Sequence, residues 1–458
     1  MGILFFQEFS SILNKSGIKT SFVQKGNKMN IIRKRYVEAL KNRMNNGLIK
    51  VVTGVRRCGK SYLLFELFCD FLIKSGIDEN CIIKIALDDD INENLREPKN
   101  LSEHIRSLVK DSEKMYFIIL DEIQFAISDE EYRHLEKPIK IYSVLNGLLR
   151  LRNVDIYVTG SNSKFLSKDI LTEFRGRGDE VHVLPLSFSE FLQGYDGDVY
   201  HAWADYIVYG GLPLVLSMKT DEQKGSYLTN LFTETYLKDI ISRNKIEKTQ
   251  ELDDLINILA SSTGSLTNPT RILQTFETVL HSKISINTIL KYFEILKDAF
   301  IINEVNRFDV KGRKYIGSPN KYYFEDVGLR NARLNFRQIE ETHIMENVVF
   351  NELRYRGCNV DVGIVEKRET CEDGKKKRVQ YEIDFIATKG SRKYYIQSAL
   401  SVASREKELQ EKKSLLSVDD SFKKIIIVKD IIKPYCDNDG IVTIGLFDFL
   451  QNENSLEL

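Results

Sequence analysis

The sequence predicts an α/β fold on a mostly parallel sheet, followed by a helical stretch and a second, smaller α/β module. Three observations carry this. Between Ile49 and Leu184 short β-rich runs alternate with helical stretches. Across residues 200–300 the apolar spacing changes to about 3.6, and beyond His343 the order returns to helix and strands. At ~150 residues per domain, 458 residues suggest about three domains.

Residues 1–36 carry seven basic residues against Glu8, with a second methionine at Met29. They read as an N-terminal extension (1–30), or Met29 is the true start. The first β-rich runs are Ile49 to Thr53, Cys81 to Leu87, Tyr116 to Leu120, Ile156 to Thr159 and Val181 to Leu184, which closes the sheet domain near Leu192. Helical periodicity follows in Leu252-Leu255-Ile256-Leu259 and Ile289-Leu290-Phe293-Leu296. Phe300 to Tyr323 reads as a hairpin turning at Asp309-Val310-Lys311-Gly312, and helices followed by a hairpin suggest a winged helix. The last module reads αβββαβ: a helix with Met345, Val349 and Leu353 on one stripe, strands at 359–365, 380–387 and 392–399, a charged helix at 405–416 and a strand at 424–428. The expected domains are therefore 31–195, 196–248, 249–330 and 331–458.

Composition excludes several classes. Lys plus Arg and Asp plus Glu both total 66, so no global basic field points to nucleic acid or an anionic membrane. Hydrophobic residues make up 42% and prolines number 7, which argues against extensive disorder. The best apolar run, Leu63 to Ile73, is broken by Glu66 and Asp70, too short to span a bilayer. The N-terminus has no basic leader, and the expectation is a cytoplasmic protein. The six cysteines form no C-x-x-C pair, so neither a disulfide framework nor a zinc site is supported.

The strongest chemical signal is Gly54-Val55-Arg56-Arg57-Cys58-Gly59-Lys60-Ser61, a G-x-x-x-x-G-K-S run directly after a predicted strand and opening a helix. Glycines let backbone N–H groups wrap phosphates, Lys60 reaches the β and γ phosphates, and Ser61 offers its hydroxyl to Mg²⁺. The expected nucleotide contacts run from Gly54 to Tyr62. A second strand, Phe117 to Leu120, ends in Asp121 and Glu122: Asp121 is the expected Mg²⁺ ligand and Glu122 the base for the attacking water. A third ends in Thr159-Gly160-Ser161-Asn162, where Ser161 or Asn162 would position water or sense the γ phosphate, Asn162 being the candidate. In Phe174-Arg175-Gly176-Arg177, an arginine would act as a finger on a neighbouring subunit's γ phosphate.

From about Ile31 onward the chain resembles the prokaryotic AAA-superfamily ATP-binding proteins that carry a C-terminal domain of unknown function. The likeness rests on Gly54 to Ser61, Leu120-Asp121-Glu122-Ile123-Gln124, Thr159 to Ser163, Pro185-Leu186-Ser187-Phe188, Tyr209-Gly210-Gly211-Leu212-Pro213 and Lys321 to Arg330. The resemblance implies a P-loop NTPase of AAA type (ASCE), a helical lid, a winged helix and a nuclease-like C-terminal fold. It also implies ATP and Mg²⁺ as cofactors, and it favours Arg177 as the finger with Arg175 in reserve.

The wing carries Arg307, Lys311, Arg313, Lys314 and Lys321, interleaved with Phe308, Tyr315, Tyr322 and Tyr323. Basic residues with aromatics suit a DNA contact, and a protein-docking surface is the equal alternative. The final module resembles the PD-(D/E)XK nuclease fold, with Glu346 and Glu352 on its first helix, Glu382 and Asp384 on one strand face and Gln397 on the next strand. The motif's lysine position, two residues after Gln397, is Ala399, and Lys393 lies four residues before Gln397, roughly 13 Å away by strand rise. The expectation is a degenerate, non-cleaving domain. The leading function is a Mg²⁺-dependent ATPase acting as switch or motor, possible as a homo-oligomer or with a protein partner. An ATP-gated nuclease and a nucleotide-dependent scaffold are the alternatives.

Overall fold

The computed structural model describes residues 31–128, 130–131, 139–160, 177–370, 376–402 and 404–458. Among them, a five-stranded sheet and a nine-stranded sheet organise the chain.

The first sheet contains β1 (Ile49–Thr53), β2 (Ile82–Ala86), β3 (Tyr116–Asp121), β4 (Val154–Thr159) and β5 (Gly178–His182), ordered β2-β3-β4-β1-β5 with every pairing parallel. Helices α1 (Lys34–Lys41), α2 (60–74), α3 (Pro98–Leu108) and α4 (Lys140–Leu148) pack beside it. Every residue of β1 and β3 is buried, as expected of central strands covered on both faces. Lys50 is tolerated in β1 because Asp155 of β4 pairs with its ammonium. The last strand starts at Gly178 rather than Val181, with Gly178 opposite Ile49. It is an edge strand, so Asp179 and Glu180 keep access to water, and the polar start hid it from a reading based on apolar runs.

Next come α5 (Phe188–Gly194), α6 (Val199–Tyr209) and α7 (221–244), then α8 (Thr249–Ser261), β6 (Leu266–Thr267), α9 (Pro269–Thr278) and α10 (Ile286–Asp298). Ser187 and Glu190 cap α5 reciprocally, which explains the Pro185-Leu186-Ser187-Phe188 motif. Strands β7 (Ile302–Asp309) and β8 (Lys314–Phe324) form the expected hairpin, and α11 (Val327–Arg333) follows. Two motifs separated by a hundred residues meet here: Asp326 accepts from the Gly211 amide at 2.8 Å and the Leu329 amide at 3.0 Å. A Cβ on Gly328 would lie 2.1 Å from the Tyr209 carbonyl oxygen, so this contact requires glycine.

The C-terminal module has α12 (Glu341–Tyr355), β9 (Asn359–Thr370), β10 (Lys376–Lys389), β11 (Arg392–Ala399), α13 (Arg405–Leu415) and β12 (Lys423–Val428), the expected αβββαβ order. Beyond it lie β13 (Tyr435–Cys436), β14 (Ile441–Gly445) and α14 (Leu446–Gln451). The hairpin does not stand apart as a wing, because β7 pairs in parallel with β9 and so joins it to this sheet. This corrects the basic surface expected there. Arg307 is buried and donates to Gln380 at 3.0 Å, Lys321 is buried, and Lys311 pairs with Asp419 at 3.0 Å. Arg313 and Lys314 remain exposed. No helix among the described residues is long and apolar enough to cross a membrane.

Candidate nucleotide site

The loop from Gly54 to Ser61 joins the C-terminal end of β1 to the start of α2, as the motif requires. Gly54 has φ +140°, and a Cβ there would sit 2.2 Å from the Val183 carbonyl oxygen; only glycine lets the loop lie this close to the chain leaving β5. Lys60 is buried, and its ammonium donates to the loop's own carbonyls, Gly54 at 2.9 Å and Val55 at 3.0 Å. The Lys60 amine is therefore held against the loop itself. Cys58 faces away, its thiol against the Val183 carbonyl at 3.3 Å, and burial pushes its pKa up. Tyr62 is exposed on α2.

Two supports hold the loop from outside. Arg33 is buried ahead of α1 and donates to the Cys58 carbonyl at 2.8 Å and the Leu184 carbonyl at 2.8 Å, while pairing with Glu190 at 3.0 Å. From α7, the Tyr236 hydroxyl donates to the Arg56 carbonyl at 2.5 Å, and Asp239 lies 3.6 Å from the Arg56 guanidinium. Neither support is legible in the motif. The signals were a basic Arg33-Lys34-Arg35 run and an aromatic in a helix, both of which recur for many reasons.

At the end of β3, Asp121 is buried and accepts from the Thr159 hydroxyl, and the Ser61 side chain lies near enough to lower its pKa. Burial, then the charge of Glu122, raises its pKa to about 6 against the lowering effect of Ser61 and Thr159. Asp88 is raised too, by burial and by Glu122. Three acids thus gather at neighbouring strand ends, an arrangement that a divalent cation would relieve. An aspartate and a serine hydroxyl are hard oxygen donors that fit Mg²⁺, which takes few protein ligands when phosphates and waters supply the rest. Glu122 sits at φ +52°, its amide donates to the Thr159 hydroxyl at 2.9 Å, and its carboxylate accepts from the Gln124 side-chain amide. Thr159 and Gln124 were not singled out from the sequence as site residues, although both lie inside quoted motifs.

The remaining candidates divide. Ser161, Asn162 and Arg175 lie outside the described residues. Arg177 precedes β5 and its carbonyl accepts from the Ile49 amide at 2.8 Å, so it is at the opposite end of β1 from Gly54, about 16 Å away by strand rise. In the C-terminal module, Glu346, Glu382 and Asp384 do come together. Glu352 does not join them; it pairs with Arg356 at 2.7 Å. Lys393 lies over the rings of Tyr395 and Phe422, away from the acids. Ala399 is buried opposite Val428.

The five-stranded parallel sheet with this loop fits a P-loop fold of AAA type. An AAA domain model matches residues 46–192, and a model described as a domain of unknown function (DUF8612) matches residues 200–340. An uncharacterized protein of Haemophilus influenzae is 31% identical over 425 residues, spanning 92% of this chain and 98% of its own length. The uncharacterized protein MJ1544 of Methanocaldococcus jannaschii is 31% identical over 409 residues, with 83% and 82% covered. Among solved structures, the Aeropyrum pernix ORC2 protein in its ADP form aligns with 71% of this chain and 97% of its own at 12% identity; its TM-score of 0.34 is too low to carry an argument.

Proposed function

The chain belongs to the family of AAA-domain proteins that includes its Haemophilus influenzae relative, and from that premise we propose that it is a cytoplasmic, Mg²⁺-dependent ATPase working as a nucleotide switch. The observation that carries the reading is buried Asp121 beside the loop that Lys60 closes, with Thr159 joining Asp121 to the Glu122 amide.

Backbone amides from Gly54 to Ser61 hold the β and γ phosphates of ATP, and Lys60 exchanges its two carbonyl partners for phosphate oxygens. Ser61 and Asp121 hold Mg²⁺, which when bound neutralises phosphate charge. Glu122 orients and deprotonates the attacking water, and its bond to Gln124 keeps the carboxylate in one orientation until water arrives. Thr159 fixes Glu122 relative to Asp121 through one hydroxyl. Asn162 or Ser161 senses the γ phosphate, and Arg177 serves a neighbouring subunit. Tyr236 and Asp239 of α7 rest on the loop, so phosphate binding at Arg56 is felt by the lid. Of the basic residues expected on the wing, a DNA contact would rest on the exposed Arg313 and Lys314, Lys311 being paired with Asp419.

The test is ATP turnover by the purified chain, with and without DNA. Lys60→Ala should abolish ATP binding, whereas Glu122→Gln should retain binding and stop turnover. Equal turnover in Glu122→Gln and the parent would remove Glu122 as base. Turnover independent of Lys60 would reject the whole assignment.

A further inference from the structure

The C-terminal acids surround a positive charge that comes from outside their own module. Lys321, near the end of β8, is only 3% exposed. Its ammonium lies 2.9 Å from Glu346 of α12, 2.8 Å from Glu382 and 3.8 Å from Asp384, both of β10. The Tyr323 hydroxyl donates to Glu346 at 2.6 Å, and the Ser398 amide donates to Asp384 at 2.9 Å. In sheet order β7 and β9 lie between β8 and β10, so this meeting joins strands that are not neighbours.

Three carboxylates this close, two of them buried, are costly without a cation. Burial would lower the Lys321 pKa, but Glu346, Asp384 and Glu382 outweigh it and raise the pKa, which keeps the ammonium charged. Burial and the charge of Glu346 push the Asp384 pKa up despite Lys321. A divalent ion bonded to the same oxygens at about 2.0–2.6 Å would need the space that the ammonium fills.

We propose that Lys321 is the resident cation of this cluster, standing where a divalent ion would otherwise sit and fastening the β7–β8 hairpin to the C-terminal module. The cluster is then an internal ion lock and not a metal centre. The lysine missing at Ala399 is not restored in role, because the buried ammonium is spent on all three acids.

The experiment is Mn²⁺ titration of the nucleotide-free full chain, with free Mn²⁺ read by its paramagnetic resonance signal. The parent should show no binding that Asp384→Asn removes. Lys321→Met, which keeps the stem and deletes the charge, should gain one Mn²⁺ site per chain, at least ~10-fold tighter than anything the parent shows in this region. Lys321→Met with Asp384→Asn should lose that site again. Asp384-dependent binding in the parent would overturn the proposal, as would a folded Lys321→Met that gains none. If Lys321→Met does not fold, iron-mediated backbone scission of the parent decides by mass spectrometry: no cuts near 346 or 382–384 uphold the lock, and cuts there overturn it.

Discussion

The hydroxyl of Thr159 accepts from the Glu122 amide and donates to Asp121, so its removal disturbs the water-activating group and the Mg²⁺ ligand together. Thr159→Val keeps the shape and deletes both bonds. Losing charge-assisted positioning bonds of this kind costs roughly 1.5–3 kcal/mol. Turnover should therefore fall about 10- to 100-fold, while ATP affinity, set by the loop, changes only a few-fold. Steady-state turnover with a nucleotide-binding titration separates the two, and an equal loss in both would show that Thr159 acts on binding. Why Gly54 to Ser61 was legible and Thr159 was not follows from the physics. Phosphate wrapping requires contiguous backbone amides and a nearby amine, so the chemistry is written as a local spacing. Thr159 acts across β4 to β3, and a threonine at a strand end is common for reasons of β propensity alone. Lys321 is harder still, since its partners lie 25 to 63 positions away on α12 and on a strand that is not its neighbour in the sheet.

Between elements, the contact of α6 with α11 has no room for substitution. Gly328→Ala would place a Cβ 2.1 Å from the Tyr209 carbonyl, and the backbone of one helix end would have to retreat. A loss of about 1–3 kcal/mol is expected, visible as a lower thermal midpoint; an unchanged midpoint would mean the two motifs do not clamp each other. A second joint runs through Glu325, which accepts from His182 of β5 at 2.5 Å, Asn303 at 2.7 Å and Arg354 of α12 at 2.7 Å. His182 in turn meets Thr53, the residue before the phosphate loop, at 3.0 Å. Burial alone would raise the Glu325 pKa, but Arg354 and His182 outweigh it and hold it at about 2. A folded pKa below the unfolded one means stability that is present above about pH 4.5 and is lost as pH falls toward 2. Glu325→Gln should thus melt well below the parent at neutral pH, with the gap narrowing as pH drops below about 4. A gap that stays constant down to pH 3 would mean the carboxylate contributes no charge-dependent stability. At this scale the elements α8, α10 and the αβββαβ order were legible because their apolar periods are long. The merging of the hairpin into the C-terminal sheet was not, because β7 and β9 pair over only three residues each and no local pattern marks a parallel partner.

For the whole molecule, the position of Arg177 restricts how the site can be completed. Gly178 is opposite Ile49 and His182 opposite Thr53, so β5 runs alongside β1 and Arg177 marks the end of the sheet far from the phosphate loop. About 16 Å of strand separates it from Gly54, beyond what an extended arginine covers in its own chain. If Arg177 stabilises the γ phosphate at all, it does so in a second copy. Two consequences can be measured together. Turnover per subunit should rise with protein concentration and level off once the assembly is complete, and Arg177→Ala should lower the plateau, by 10³-fold or more if the finger is fully engaged, without weakening ATP binding. Mixing Arg177→Ala with Glu122→Gln is the sharper measurement. Each is impaired alone, but in a mixed assembly the intact Glu122 of one chain can face the intact Arg177 of the other, so activity should reappear. Concentration-independent turnover in a monomeric sample, or mixtures with no more activity than their parts, would confine hydrolysis to the single chain and leave Arg177 a surface residue at the sheet's lower edge.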